Sequence, residues 1–340
     1  MMRILYHMTN LPPRLPGTEA SLQELNVLRG HFGGNLVYLN PNEQSPVYLP
    51  RLLFGFHQLQ RIRREEADLQ LHHLYNADPF PFPFIRWLRR PVIYSISSGV
   101  GSSRPNIAFF RHLAAVTVAD ERSWRRLQGW GLPNCHLVRP GIDAAGFTCT
   151  PLPLQSEIRL LVGSAPWTRR QFQTKGFAAL LAAAQAMPHL YLVCLWRGVL
   201  VEELERWLRR LGLEQRVEVI NRKVDVNQVL AGVHASISLV TDPAIIRSYP
   251  HSLLESLAAG KPVLVSRSIP MSDYVEAAGC GLVVEQVTPA DIMAAIEALI
   301  RRYDELQQAA RRVGQRDFSQ QALIDSFQRV YEHTVNSTTR

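Results

Sequence analysis

The stretch Arg247–Ser266, "RSYPHSLLESLAAGKPVLVS", contains the step that repeats along this chain: a helix, a glycine stop and a buried strand. Ser248 or Ser252 can cap a helix whose first N–H groups lack intrahelical partners. Leu253, Leu254 and Leu257 form its apolar face, and Glu255 points off that face. Gly260 sits where a left-handed C-terminal residue is expected, and Pro262 blocks continuation. "PVLVS" then reads as a short strand buried on both faces, as in a parallel sheet. A helix N-terminus on such a scaffold is a place to hold a phosphate.

The same step recurs in both directions. Upstream, "RILYHM", "GNLVYLN", "LQLHHLY", "PVIYSIS", "AAVTVAD" and "CHLVRPG" read as strands. Helical patterns lie between them at Thr18–His31, Arg51–Glu66 and Asp120–Gly129. Asp143–Glu157 carries no periodicity and reads as a linker. A second series follows: strands at "IRLLVGS", "LYLVCLW", "VEVIN", "ASISLV", "PVLVS" and "GLVV", alternating with helices at Gly176–Ala186, Val201–Leu211 and Asn227–Gly232. A long helix over Pro289–Gly314 and a last amphipathic one at "DFSQQALIDSFQRVYEHTV" complete the chain. The pattern predicts an α/β protein with two Rossmann-like halves: residues 1–150, joined by a returning helix over 317–340, and residues 151–316.

At 340 residues there is enough chain for two cores. An apolar content of 46% and a charged content of 19% fit an ordinary globular protein. No apolar run approaches a membrane span, and the opening "MRILYHM" is too short for a secretory signal. Four scattered cysteines suit core thiols in a reducing cytoplasm. The net charge of +8 comes from arginines spread along the chain without a basic-aromatic motif, which argues against nucleic acid as partner.

Several fragments occur in an order that resembles family-4 retaining glycosyltransferases of the GT-B fold (glycosyltransferase group 1). They are the "LPG" loop after the first strand, "VTVADERSWRRLQGWGLPNCHLVRPGIDAAGF", "LLVGS…TKGFAALL", "LYLVCLWRG", "YPHSLLESLAAGKPVLVS", "GLVV" and a final helix ending in "VYE". The resemblance spans nearly the whole length. It implies two facing domains with a cleft between them. A nucleotide-sugar donor would be held mainly by the second, a glycan or lipid-linked acceptor mainly by the first. It also implies transfer with retention, without a metal or other cofactor, in cell-surface polysaccharide or glycolipid assembly; no Asp-x-Asp motif is present.

By that resemblance Lys175, in "TKG", matches the phosphate-binding lysine; the alternative is a solvated lysine at a helix start. The family's partnering arginine follows the strand glycine directly, whereas here Gly163 is followed by Ser164 and a loop, "SAPWTRRQFQ". Arg169 or Arg170 would have to supply that charge, with a geometry suited to phosphate; both also read as surface residues. Gly17 would let the backbone approach a diphosphate or acceptor, and Thr18 would add a hydroxyl there. Glu255 matches the second glutamate of the family's Glu-x7-Glu motif, which accepts hydrogen bonds from ribose hydroxyls. Ser252 and Leu253 would offer backbone N–H groups to phosphate. Two positions depart from the pattern: Arg247 stands at the first glutamate and Ser97 at the usual histidine, both normally against the donor sugar. Arg222, with Asn221 and Lys223, falls where the base is framed. His72 and His73 read as sheet-end structural histidines, and Trp167 either stacks on a base or caps its loop.

Arg51–Glu66 mixes apolar residues (Leu52, Leu53, Phe54, Phe56, Leu59, Ile62) with four arginines, and "FPFPFIRWLRRP" follows. An amphipathic helix there would either lie on an anionic inner membrane face or pack on its own sheet. A different reading, a non-catalytic GT-B protein that binds a nucleotide or glycan or scaffolds a partner, rests on Arg247 and Ser97.

Overall fold

The computed structural model describes residues 2–12, 19–43, 45, 47–196, 199–242 and 246–338. The chain separates into two compact units, Met1–Pro140 with Gln320–Arg340, and Gly141–Ser319.

Unit 1 is built on strands β1 (Ile4–Met8), β2 (Asn35–Tyr38), β3 (Leu71–Asn76), β4 (Val92–Ile96), β5 (Ala115–Val118) and β6 (Cys135–Leu137). They pair in parallel in the order β2-β1-β3-β4-β5-β6. Its helices are α1 (Ala20–Phe32), α2 (Leu59–Glu65), α3 (Ile107–Arg111) and α4 (Glu121–Gly129). Both faces of the sheet are covered, as a parallel sheet requires. Leu5, Leu74 and Tyr94 belong to one cluster with Phe54, Phe82 and Phe110. Ile4, Tyr6 and Ile93 face the other way, against Leu25 and Leu28 of α1 and Phe327 and Tyr331 near the chain's end.

Unit 2 repeats the plan with β7 (Ile158–Val162), β8 (Leu190–Leu195), β9 (Val217–Ile220), β10 (Ala235–Ser238), β11 (Val263–Ser266) and β12 (Gly281–Val284). The order is β12-β11-β10-β7-β8-β9, again all parallel. Its helices are α5 (Arg169–Thr174), α6 (Phe177–Ala186), α7 (Val201–Leu211), α8 (Val226–Ala231), α9 (His251–Ala258), α10 (Met271–Ala278), α11 (Pro289–Arg301) and α12 (Tyr303–Asp317). The last helix, α13 (Gln320–Thr338), belongs to unit 1, where it packs beside α1. Among the described residues no helix is long and apolar enough to cross a membrane.

Four features differ from the sequence reading. Residues 141–150, expected with the first half, belong to unit 2, where their hydrogen bonds are made. Ile142 N–H donates to the Phe318 carbonyl (2.9 Å), Thr148 N–H to Asn227 Oδ1 (3.0 Å), and Lys261 Nζ to the Thr150 carbonyl (2.7 Å). The expected start of the returning helix, 317, shifts to Gln320, because Asp317 and Phe318 are held by Tyr274. Arg51–Glu66 is not one helix: two 3-10 turns (Arg51–Leu53 and Phe56–Gln58) precede α2. Gly55 breaks it, at φ 88° with the Phe84 ring where a Cβ would stand. Pro289–Gly314 likewise divides at Arg302.

The opening stretch folds as a helix-to-strand step, with one correction at its start. Neither Ser248 nor Ser252 caps α9; Pro250 holds the N-cap position without a side-chain bond. At the other end Gly260 adopts φ 69°, and Lys261 N–H donates back to the Ser256 carbonyl, closing the helix as expected.

Candidate functional site

In unit 2, β7 has β8 on one side and β10 on the other, so the chain reverses its direction of winding between β7 and β10. In open parallel sheets, ligands bind beyond the carboxyl ends of the strands at such a point. Three segments meet there. β7 runs out through Gly163 into Ser164 and Ala165. α5 ends at Lys175. α9, which follows β10, begins at His251.

Contacts join these segments into one constellation. Lys175 Nζ donates to Ser164 Oγ and to the Ala165 carbonyl, both at 2.9 Å. A Cβ on Gly163 would stand 2.5 Å from Ser252 Cβ, so only glycine lets the β7 terminus abut the first turn of α9. Gly176 adopts φ 64°, and a side chain there would meet Leu239 and Val287. The "TKG" glycine therefore allows the turn that directs Lys175 over the strand ends. Ser164, Lys175, Ser238, Val240 and Ile246 share a narrow pocket of about 10 Å³, room for about one water.

The other sequence-derived residues fall as follows. Ser252 and Glu255 lie three apart on α9 and so share a helix face; both are half-buried. Leu253 differs from expectation: its N–H donates to the Pro250 carbonyl (3.0 Å), and its side chain is buried. Arg247 is half-buried just before the buried Ser248. The loop "SAPWTRRQFQ" contains a helix, α5. Arg169, on its first turn, pairs with Glu203 of α7 at 2.9 Å; Arg170 beside it is exposed. Arg222 is exposed after β9, the edge strand, with β8 between it and β7. Gly17 and Thr18 lie outside the described residues. Ser97, in unit 1, follows β4 and donates its N–H to the Asn76 carbonyl (2.9 Å).

Ser164 was not chosen from sequence as a site residue, although its place directly after the strand glycine was the available signal. His72 and His73 are structural, and lie within β3 rather than at its end. His73 bonds Tyr331 Oη (2.6 Å) and Ser95 Oγ (2.7 Å), and His72 bonds His7 and Glu66, each at 3.0 Å. Burial pushes His73 down to about 3. Among the described residues, no cluster of His, Cys, Asp or Glu is arranged to hold a metal.

Residues 167–316 match the profile of the family described as glycosyl transferases group 1. That match covers Lys175, α9 and most of unit 2. That region is thus similar to group 1 glycosyltransferases. No curated protein matches the chain. Solved structures share the fold of both units. A glycosyltransferase from Rickettsia africae is 12% identical, covering 98% of each chain with a TM-score of 0.72. Anabaena HepE, solved in complex with UDP and glucose, is 15% identical over 98% of this chain and 100% of its own, with a TM-score of 0.72. The sucrose-phosphate synthase of Thermosynechococcus elongatus is 13% identical over 99% and 100%, with a TM-score of 0.71. The matching region sits in a chain with the GT-B fold.

Unit 1 carries a surface of a different kind. Leu52, Leu53 and Trp87 are 54%, 46% and 45% exposed. Their two segments touch, with Phe56 edge-on to Trp87 at 5.1 Å. Arg63, Arg64, Arg86, Arg89 and Arg90 are exposed along the same segments. Phe54 and Ile62 are buried, so one side of 51–66 packs inward, as one of the two expectations had it, while the other side is apolar and basic.

Proposed function

We propose that the protein is a retaining, metal-independent glycosyltransferase that takes a sugar from a nucleotide-sugar donor to a glycan or lipid-linked acceptor, in cell-surface polysaccharide or glycolipid biosynthesis. The observation that carries this is Lys175, held over the strand ends at the winding reversal, inside the region that matches the group 1 family. When the donor's glycosidic bond breaks, negative charge builds on the leaving diphosphate. A fixed ammonium directed at that charge stabilises the transition state more than the ground state. Ser164 and Ala165 hold Lys175 in place beforehand, so little reorganisation accompanies the reaction.

Around that lysine, Ser252 would meet phosphate, and Glu255 would accept from ribose hydroxyls. Arg170, not the paired Arg169, would bring the second cation, and Arg222 would lie toward the base. Gly17 and Thr18 would lie against the diphosphate or acceptor, and Ser97 and Arg247 against the donor sugar, with Arg247 suited to an acidic substituent. That HepE was solved with UDP and glucose supports a uridine nucleotide as the first donor to try. The exposed apolar and basic surface of unit 1 supports peripheral attachment at the cytoplasmic membrane face. Arginines there would meet anionic headgroups while Leu52, Leu53 and Trp87 enter the interface.

The test is a thermal-shift screen of nucleotides followed by donor turnover. UDP at saturation should raise the melting temperature, since a ligand of the native state stabilises it. Lys175→Ala and Glu255→Ala should each abolish the shift; retention of the shift in both refutes this site. Nucleotide binding without donor hydrolysis or transfer would favour the non-catalytic reading, which Arg247 and Ser97 support. Sedimentation with vesicles containing anionic lipid should pull down the wild type and not Trp87→Ala combined with Leu52→Glu.

A further inference from the structure

A second pocket lies wholly within unit 1, beyond the carboxyl end of β2, with a volume of about 190 Å³. A cavity of about 150 Å³ admits benzene, so this one has room for a single six-membered ring with substituents. Its lining includes the buried Val37 and the polar Tyr38, Asn40, Glu43, His57, Gln58 and Arg61.

The walls are built in advance. Asn42 clasps Leu49 from both sides: its Oδ1 accepts the Leu49 N–H (2.6 Å) and its Nδ2 donates to the Leu49 carbonyl (3.1 Å). Gly55 N–H donates to the Leu39 carbonyl (3.0 Å), which brings the turn bearing His57 and Gln58 against the end of β2.

The lining is rich in polar groups with unused capacity. Arg61 spends its Nε on Glu65 and Asn40 its Oδ1 on the Asn42 N–H, leaving their terminal nitrogens to donate. Among the described residues, the side chains of Tyr38, Glu43, His57 and Gln58 make no hydrogen bond. Burial, with Glu19 and Glu43 nearby, raises the Tyr38 phenol, which keeps its proton as a donor. Burial lowers His57, so its ring is neutral near pH 7. Donors and acceptors are thus interleaved, and the one arginine is already paired with a carboxylate. That pattern suits vicinal hydroxyl groups, each both donor and acceptor, and not a phosphate, which needs concentrated positive charge.

We propose that this pocket binds one pyranose ring of a neutral, hydroxyl-rich ligand; resting on the transferase reading above, that ring is a sugar of the acceptor. Gln58 and Glu43, both in its lining, grip the ring's hydroxyls.

The experiment is saturation-transfer NMR on the full chain with methyl glucoside, galactoside, mannoside and N-acetylglucosaminide. At least one should receive saturation. Glu43→Gln and Gln58→Ala should each weaken its binding roughly fivefold or more, the worth of one hydrogen bond, without lowering the melting temperature. Glu297→Gln, on the outer side of α11, should leave binding intact. The pocket assignment is overturned if no glycoside gives a signal at tens of millimolar, if both variants keep full binding, or if inorganic phosphate or glucuronate displaces the neutral sugar. A UDP thermal shift on the same samples separates the two readings. A shift without sugar binding overturns the pocket and leaves the transferase; sugar binding without a shift supports the pocket and overturns the transferase.

Discussion

The two units share one plan but fill their sheets differently. In unit 1 the strands bury polar groups: His7, His72, His73, Asn76, Ser95 and Thr117 are all at most 5% exposed. They form hydrogen-bonded chains across strands, such as Tyr331–His73–Ser95–Thr117 and His7–His72–Glu66. In unit 2, β7 and β8 read "IRLLV" and "LYLVCL"; the polar groups buried in its strands include only small hydroxyls, those of Ser236, Ser238 and Ser266, and the buried His234 lies outside the strands. The isolated buried charge near its sheet is Lys261, which rests on the Thr150 carbonyl. Buried polarity in unit 1 thus serves architecture, while the polar groups proposed for chemistry in unit 2 stand at strand ends where ligands can reach them. A buried polar residue is not by itself a sign of function.

Acid should separate the units most. Burial lowers His7 and His73, the latter to about 3, while the unfolded chain titrates near 6.5. Below pH 6.5 the unfolded state takes up protons that the folded histidines refuse, so stability is complete above that pH and falls as pH drops toward 3. A histidine that stays neutral in the fold lowers stability by about 1.4 kcal/mol for each pH unit below about 6.5. Hydrogen exchange at pH 7.5 and 5.5, corrected for intrinsic rates, should show unit 1 peptides losing protection before unit 2 peptides; equal losses would break the comparison. Unit 2 should respond at the alkaline end. Burial lowers Lys261 to about 8 against 10.5 when exposed, so its stability should rise as pH climbs from about 8 toward 10.5.

Next in size is Gly176→Ala. A left-handed non-glycine residue costs about 1–3 kcal/mol, and here the new methyl also meets Leu239 and Val287. Unit 2 should melt earlier while unit 1 keeps its protection, and the UDP shift should shrink because Lys175 precedes the altered turn. The smallest effect belongs to Arg169→Ala. Its pair with Glu203 is a surface contact, worth under about 1 kcal/mol. Donor turnover should stay within about twofold if Arg170 is the working cation; a fall of a hundredfold would reassign that role to Arg169.

Much of this was legible in the chain. All twelve described strands coincide with runs legible in the sequence, because a strand covered on both faces is mostly apolar; β3, with two histidines and an asparagine, is the exception, its polar groups being bonded to neighbouring strands and helices. The site was legible in part. Lys175 and Ser252 could be named, but not that Gly163 must be small because Ser252 presses on it. Leu253 as a phosphate donor failed because a backbone carbonyl one turn away, that of Pro250, took its N–H. The 51–66 segment failed as a single helix because periodicity does not register one left-handed glycine.

Sequence alone determined what local physics controls: strand and helix alternation, the glycine that ends α9, and two parallel sheets. Tertiary structure alone decided which unit holds residues 141–150, which arginine is tied to Glu203, and which histidines are sealed in a core. Those outcomes depend on partners distant along the chain, such as Asn227 for Thr148 and Tyr331 for His73. No local pattern records a partner that far away, so only the folded chain can select it.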